Sequence, residues 1–203
     1  MITVGCESEK RNTIRIIKMS TFFTCRLYFY ILGKADTIMG CISEITGQTR
    51  LTGLLGSPVS HSKSPLMHNE AYRLLGLDYV YLCFDVPENN LQVAFEGLKK
   101  LNVAGFNCTM PDKTLMSKLV DELSPAAKII GAVNTVVNDN GKFVGHNTDG
   151  TGYIRSLQDC GHNIVGKKMT LLGSGGAASS ICVQAALDGG GKDNITAIVV
   201  RME

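Results

Sequence analysis

Two kinds of apolar pattern alternate along the chain. Short apolar or β-branched runs predict strands at residues 52–55, 79–84, 103–106, 132–137, 168–172 and 195–200. Apolar residues spaced three and four apart predict helices at about residues 65–75, 90–101, 114–123, 125–130, 153–158 and 177–187. This alternation predicts an α/β fold built on an open sheet.

Capping and turn residues delimit several of these elements. Pro65 suits the first position of a helix, which would make Ser64 its N-cap, and Gly76 would end that helix. The Ser-Pro pair at 124–125 predicts a second capped start in the same way. Asp-Asn-Gly at 139–141 predicts a hairpin turn, followed by a return strand.

The first 48 residues fit this pattern badly. Basic residues precede an aromatic and apolar patch over 22–32, which Arg26 interrupts. The patch is shorter than the ~20 apolar residues that a membrane span needs. We therefore expect residues 1–48 to be a poorly ordered extension, and an interfacial membrane anchor is the alternative.

Composition and charge narrow the classes of function. The chain is 44% hydrophobic and 19% charged, and its net charge of +2 gives no indication of a nucleic-acid partner. Its seven cysteines form no Cys-x-x-Cys pair, and the four histidines have no metal-ligand spacing. We expect free thiols in the reducing cytoplasm, no metal site and no membrane partner.

The most informative stretch is Asn107-Cys108-Thr109-Met110-Pro111-Asp112-Lys113, between a predicted strand and a predicted helix. Ligands of open α/β sheets bind at this edge. Lys113 could donate hydrogen bonds to substrate hydroxyls, and desolvation could lower the pKa of its amine enough for proton transfer. The alternative is a plain loop with an exposed lysine.

Two serines precede the helix that follows Pro65. Ser62 and Ser64 would place hydroxyls beside a helix N-terminus, where the free N–H groups and the dipole favour an anion such as a carboxylate. The alternative is that Ser64 only caps the helix and Ser62 only solvates a turn.

Two further polar residues interrupt apolar or junction sequence. Asn134 stands in an otherwise apolar strand, and a bound polyol could satisfy its amide, although a core asparagine with protein partners is the alternative. Asp149 could pair with Lys113 as an acid/base couple in which opposite charge tunes both pKa values. The alternative for Asp149 is a helix N-cap.

A glycine-rich turn follows the strand at 168–172. Its residues, Gly173, Ser174, Gly175, Gly176 and Ala177, lie between that strand and a helix. This is the context that a dinucleotide site requires, because the glycines permit close approach of a pyrophosphate to the helix N-terminus. Ala178 stands where the full G-x-G-x-x-G fingerprint has its third glycine.

These stretches resemble, in the same order, motifs of the shikimate dehydrogenase family in its shikimate/quinate branch. They are Ser-x-Ser at 62–64, Asn-x-Thr-x-Pro-x-Lys at 107–113, Gly-Ala-Val-Asn-Thr at 131–135, Asn-Thr-Asp-Gly at 147–150 and Gly-x-Gly-Gly-Ala at 173–177. The resemblance implies an α/β substrate-binding domain over 49–150. It also implies the start of a Rossmann-like NAD(P)-binding domain over 151–203, truncated at its C-terminal end.

The family reaction is reversible NAD(P)-dependent oxidation of shikimate to 3-dehydroshikimate, or of quinate to 3-dehydroquinate, in aromatic amino acid biosynthesis. The resemblance assigns proton transfer to Lys113 and Asp149. It assigns substrate binding to Ser62, Ser64, Asn107, Thr109 and Asn134, and NADP or NAD binding to Gly173, Ser174, Gly175, Gly176 and Ala177. We expect a monomer or homodimer. The alternative is a catalytically inert fragment that only binds a shikimate-like ligand.

The last residues have a different resemblance. Gly-Gly-x-Asp-Asn-Ile-Thr, at 190–196, is similar to a segment near the end of metal-dependent serine/threonine protein phosphatases, where Asp193 would be a metal ligand. No other motif of that family is present, so we interpret this stretch as a junction with foreign sequence or as coincidence.

Overall fold

The computed structural model describes residues 13–17, 45–162, 168–172 and 176–188 of the 203-residue chain. These residues form two compact units. One unit contains residues 45–146, and the other contains the remaining described residues. We describe each unit by itself.

Eight strands and six α-helices are described. The strands are β1 Thr13–Ile17, β2 Arg50–Gly56, β3 Tyr79–Asp85, β4 Gly105–Cys108, β5 Glu122–Leu123, β6 Thr135–Asp139, β7 Lys142–His146 and β8 Lys168–Leu172. The helices are α1 Ser64–Leu75, α2 Leu91–Lys100, α3 Lys113–Leu119, α4 Pro125–Ile130, α5 Asp149–Asp159 and α6 Gly176–Asp188. The alternating α/β pattern predicted from the sequence is confirmed.

The larger unit is built on a six-stranded mixed sheet in the order β3-β2-β4-β6-β7-β5. Strands β3, β2 and β4 are parallel, and β6 runs antiparallel to β4. In this register Leu55 of β2 is the partner of Cys108, and Asn107 is the partner of Thr135. The carboxyl ends of β2 and β4 therefore lie side by side, next to the start of β6.

The core of this unit lies where α2 packs on the sheet. Helix α2 buries Leu91, Phe95 and Leu98, the face that apolar spacing predicted. The Phe95 ring packs edge-on against Phe106 and Phe143, at centroid distances of 6.0 and 5.7 Å. Fully burying a side chain of this size contributes about 1.5–3 kcal/mol to folding. The packing fixes the sheet whose edge carries the candidate site residues.

The smaller unit combines a parallel pair of strands with a pair of helices. Strand β1 pairs in parallel with β8, a pairing that the sequence did not predict. Tyr153, Ile154 and Leu157 of α5 pack against Ile181 of α6. These apolar residues recur at helical spacing and form a local core for the unit.

Several element boundaries differ from the prediction. The helix predicted over 114–123 ends at Leu119, because Val120 is extended and residues 122–123 pair with β7. The strand predicted over 132–137 begins only at Thr135, so Asn134 precedes it. The strand predicted at 195–200 and the phosphatase-like stretch lie outside the described residues.

The hairpin prediction is confirmed. Residues 140 and 141 connect β6 and β7, and both have positive φ angles, 52° for Asn140 and 92° for Gly141. Asn and Gly adopt this backbone region at low cost, which explains why they occupy the turn. Within the described ranges, no helix has the length and apolar character to cross a membrane.

Candidate functional site

Two loops meet at the carboxyl ends of β2 and β4. The Thr109 N–H donates to the carbonyl of Leu55, at 3.0 Å. A Cβ atom on Gly56 would overlap the Thr109 Cγ2 atom, so only glycine permits this approach. The loop before α1 and the loop before α3 are therefore neighbours, which brings two of the sequence motifs to one sheet edge.

The serine pair lies in the first of these loops, but its capping role differs from the prediction. Ser64 is the first helical residue of α1, and the N-cap position is Lys63, whose side chain makes no capping bond. The Ser64 N–H instead donates to the Ser62 hydroxyl oxygen, at 3.2 Å. The prediction that Ser64 is the N-cap is therefore wrong, because Ser62 supplies the local acceptor.

Asn107 lies within β4, one residue before the strand ends. Its amide oxygen accepts from the Tyr81 hydroxyl at 2.8 Å. Its amide nitrogen donates to the backbone carbonyl of Asn134 at 3.3 Å and to the Thr135 hydroxyl at 3.1 Å. Asn107 thus links three strands of the sheet through one side chain.

Asn134 is buried just before β6, with 8% of its surface exposed. Its backbone N–H donates to the backbone carbonyl of His146 at 3.0 Å, and its own carbonyl accepts from the N–H of Cys108 at 2.9 Å. The Thr135 hydroxyl donates to the Asn134 amide oxygen at 2.9 Å. The backbone of Asn134 is therefore anchored on both sides, and its side chain has a defined partner.

Lys113 begins α3, directly after the second loop. Its backbone carbonyl accepts from the N–H of Val133 at 2.8 Å, which ties the start of α3 to the segment before Asn134. The Lys113 and Thr109 side chains are both half-buried. The structure thus brings Ser64, Asn107, Thr109, Asn134 and the start of Lys113 to one region of the larger unit.

Asp112, one residue before Lys113, received no role from sequence reasoning. It is fully buried, and neither oxygen of its carboxylate has a hydrogen-bond partner among the described residues. Burial raises the pKa of Asp112, and the negative charge of Glu88 raises it further. An Asp in a loop gives no sequence signal for such burial.

Tyr81 is a second residue that sequence reasoning did not single out. It lies in the middle of β3 and is 2% exposed, with its ring stacked on His68 at a centroid distance of 4.1 Å. Burial raises the pKa of Tyr81, while a side-chain hydrogen bond from Ser64 opposes that rise. Its only sequence signal was a hydroxyl-bearing aromatic on a buried strand.

Asp149 belongs to the smaller unit. Asp149 is the first residue of α5, and its N–H donates to the Asn147 side-chain oxygen at 3.2 Å. The N-cap is therefore Thr148 and not Asp149. Gly173, Ser174 and Gly175 lie outside the described residues.

The described backbone on either side of residues 173–175 is a strand and a helix. Strand β8 ends at Leu172 and α6 begins at Gly176, so three residues join strand to helix. Helix α6 has 13 residues, and the first N–H groups of an α-helix, which have no acceptor within the helix, can donate to an anion. Among the described residues, no cluster of three or more His, Cys, Asp or Glu could hold a metal ion.

Comparison with known proteins agrees with the arrangement of these motifs. A family model for the shikimate dehydrogenase substrate binding domain matches residues 54–136. This chain therefore carries, over those residues, the substrate binding domain of the shikimate dehydrogenase family. It is 58% identical over 146 residues to a shikimate dehydrogenase (NADP(+)) of Listeria monocytogenes, a match covering 72% of this chain and 50% of that protein. A shikimate dehydrogenase (NADP(+)) of Alkaliphilus metalliredigens is 56% identical over 146 residues, with 72% and 51% covered.

A solved structure extends the match to the fold. A crystal structure of shikimate 5-dehydrogenase from Listeria monocytogenes, in complex with shikimate and NAD, superposes with a TM-score of 0.73 at 47% identity. That match covers 79% of this chain and 64% of that structure. The fold class predicted from the sequence is confirmed. The chain spans about half the length of the curated shikimate dehydrogenases it matches.

Proposed function

We propose that this chain binds shikimate through its larger unit and takes part in the reversible NADP-dependent reduction of 3-dehydroshikimate to shikimate. The observation that carries the proposal is the convergence of Ser64, Asn107, Asn134 and the start of Lys113 at one sheet edge. The match to the shikimate dehydrogenase substrate binding domain and the NADP(+) in the names of its relatives support the same reaction.

The chemistry of the substrate matches this set of side chains. Shikimate is a carboxylate with several ring hydroxyls, so its recognition needs an anion site and fixed hydrogen-bond partners. Ser62 and Ser64, beside the start of α1, are proposed to hold the carboxylate. Asn107, Thr109 and Asn134 are proposed to hold the hydroxyls, and quinate is the alternative substrate because it presents the same groups.

Oxidation of an alcohol requires a base near the hydroxyl that loses its proton. We assign this proton transfer to Lys113 and Asp149, the two residues to which the resemblance to the family gives it. When bound, a nicotinamide cofactor would supply the hydride acceptor for the ring carbon. Gly173, Ser174, Gly175, Gly176 and Ala177 are proposed to hold its pyrophosphate, which the succession of strand β8 and helix α6 supports.

We propose the boundary between the substrate domain and the nucleotide domain near residue 150, with residues 1–48 as an extension.

The second candidate function is that of a fragment that binds shikimate without turnover. Turnover by the purified chain separates the two functions.

The experiment follows NADPH formation from shikimate by the 203-residue chain, with NAD and quinate as alternative reactants. Lys113→Ala tests the assigned base, and Lys118→Ala, an exposed lysine in the same helix, is the matched control. The proposal expects turnover that Lys113→Ala lowers at least 100-fold and Lys118→Ala leaves unchanged. Shikimate binding without turnover would establish the fragment function, and absence of both would contradict the proposal.

A further inference from the structure

Four side chains of the larger unit form a continuous series of hydrogen bonds. The Tyr81 hydroxyl donates to the Asn107 amide oxygen. The Asn107 amide nitrogen donates to the Thr135 hydroxyl, which donates to the Asn134 amide oxygen. Two of the four residues, Asn107 and Asn134, are proposed substrate ligands. The other two, Tyr81 and Thr135, were given no role.

The direction of this series follows from one backbone group. The Asn134 carbonyl can only accept, and it lies 3.3 Å from one end of the Asn107 amide. That end must be the NH₂ group, because two facing carbonyl oxygens would repel each other. The amide oxygen of Asn107 therefore faces Tyr81, and the Tyr81 hydroxyl must be the donor.

The next bond gives the orientation of the second asparagine. The Thr135 hydroxyl accepts from the Asn107 NH₂ group and donates its single hydrogen to the Asn134 amide oxygen. The opposite end of the Asn134 amide is then its NH₂ group, a donor. Burial raises the pKa of Tyr81, so the hydroxyl at the start of the series stays protonated.

We propose that Tyr81 and Thr135 are positioning residues that fix the amide orientation of Asn107 and Asn134, so that Asn134 presents its NH₂ group to a substrate hydroxyl oxygen. This inference rests on the proposed function for its ligand. The ring of Tyr81 is held independently of its hydroxyl, because it stacks on His68 and the Asn69 side chain bonds both backbone groups of Tyr81. Removing the hydroxyl alone therefore leaves the ring in place.

The variants isolate single hydroxyls. Tyr81→Phe removes the first donor and Thr135→Val removes the link between the two asparagines, while Thr135→Ser keeps that hydroxyl. Tyr72→Phe is the matched control, because Tyr72 also lies beside His68 but its hydroxyl bonds Thr52 instead. All four are made in the full 203-residue chain.

Two measurements are made on each variant. The first is the position of the Asn134 side-chain NH₂ resonances in the ¹⁵N-labelled chain without ligand. The second is the dissociation constant for shikimate by calorimetry. We expect Tyr81→Phe and Thr135→Val to shift the Asn134 resonances and to weaken shikimate binding about tenfold, the usual effect of a lost or misdirected hydrogen bond. Tyr72→Phe and Thr135→Ser should change neither quantity.

The outcomes separate this inference from the proposed function. Unmoved Asn134 resonances in Thr135→Val, or equal effects of Tyr72→Phe and Tyr81→Phe, would overturn the positioning role. Thr135→Val carries the test if Tyr81→Phe does not fold. If the unsubstituted chain does not bind shikimate, the proposed function fails for this chain, while the resonances still decide whether Tyr81 and Thr135 orient Asn134.

Discussion

Gly150 of α5 lies directly against the backbone carbonyl of Ser180 in α6. A Cβ atom at residue 150 would overlap that carbonyl oxygen and would also crowd Gln184. Gly150 sits in the Asn-Thr-Asp-Gly motif, so the glycine of the motif has a packing reason besides any chemical one. Neither the helix backbone nor Ser180 can move aside without loss of the apolar contacts between the two helices.

We predict that Gly150→Ala destabilises the smaller unit. The overlap is with backbone, so relief requires the helices to separate, at a cost of about 1–3 kcal/mol. The measurement is thermal unfolding followed by circular dichroism. Gly97→Ala is the control, because an added Cβ meets nothing within 4 Å there and alanine favours the interior of α2, so stability should rise by about 1 kcal/mol. A Gly150→Ala chain as stable as the parent would contradict the packing argument.

We predict that Asp112→Asn increases stability at pH 7. The folded-state pKa of Asp112 is raised by burial and by Glu88, so the folded protein holds this proton more tightly than the unfolded chain. Below the pKa of Asp112 in the unfolded chain, the carboxyl is protonated in both states and costs no stability. As the pH rises through the folded-state pKa of Asp112, the free energy of unfolding falls. Removing the charge should add about 1–3 kcal/mol at pH 7, and the gain should vanish at low pH.

Asp121→Asn is a control of opposite sign for that prediction. The Lys99 side chain and the Phe143 N–H lower the pKa of Asp121. The Asp121 carboxylate therefore stabilises the folded state above its unfolded-state pKa, and that stabilisation is lost as the pH falls through the folded-state pKa. Urea unfolding at pH 7 and in acid measures both variants. If the stability changes caused by Asp112→Asn and Asp121→Asn varied with pH in the same direction, the pKa shifts assigned to the two carboxyls would be wrong.

We predict that Ser124→Ala lowers stability by about 1 kcal/mol. The Ser124 hydroxyl accepts from the N–H of Ala127 and satisfies one of the free donors at the start of α4. Lys63→Ala, at the N-cap position of α1, removes no capping bond and should change stability by less than about 0.5 kcal/mol. Equal unfolding midpoints for the two variants would show that the Ser124 bond contributes nothing.

Local signals in the sequence were sufficient for most elements of the larger unit. Short apolar or β-branched runs predicted strands β2 and β3, and helical spacing predicted helix α2. Ser-Pro and Asn-Gly marked a helix start and a hairpin. These features depend on residues close together in the sequence. The capping of α1 was predicted wrongly because two nearby serines could both act as the acceptor, and only the backbone geometry distinguishes them.

The features that sequence reasoning missed depend on pairing between distant segments. Strand β1 pairs with β8 from more than 150 positions away, and no local pattern encodes that. The burial of Asp112 and the contact of Tyr81 with Asn107 likewise exist only once the elements are packed. The candidate ligands themselves were predicted because their residue types and order resemble one family. Their joint placement required the sheet order.

The register of β4 against β6 has a consequence for how selectivity could be lost. Asn107 and Thr135 are direct partners across an antiparallel pair, so their side chains lie on the same face of the sheet. A slip of one position along either strand would turn one of them to the opposite face while leaving most of the ladder paired. A misaligned chain would therefore keep its sheet and its helices but lose the continuous hydrogen bonds between the two asparagines. Circular dichroism would show its normal secondary structure, although it would no longer bind a polyol acid.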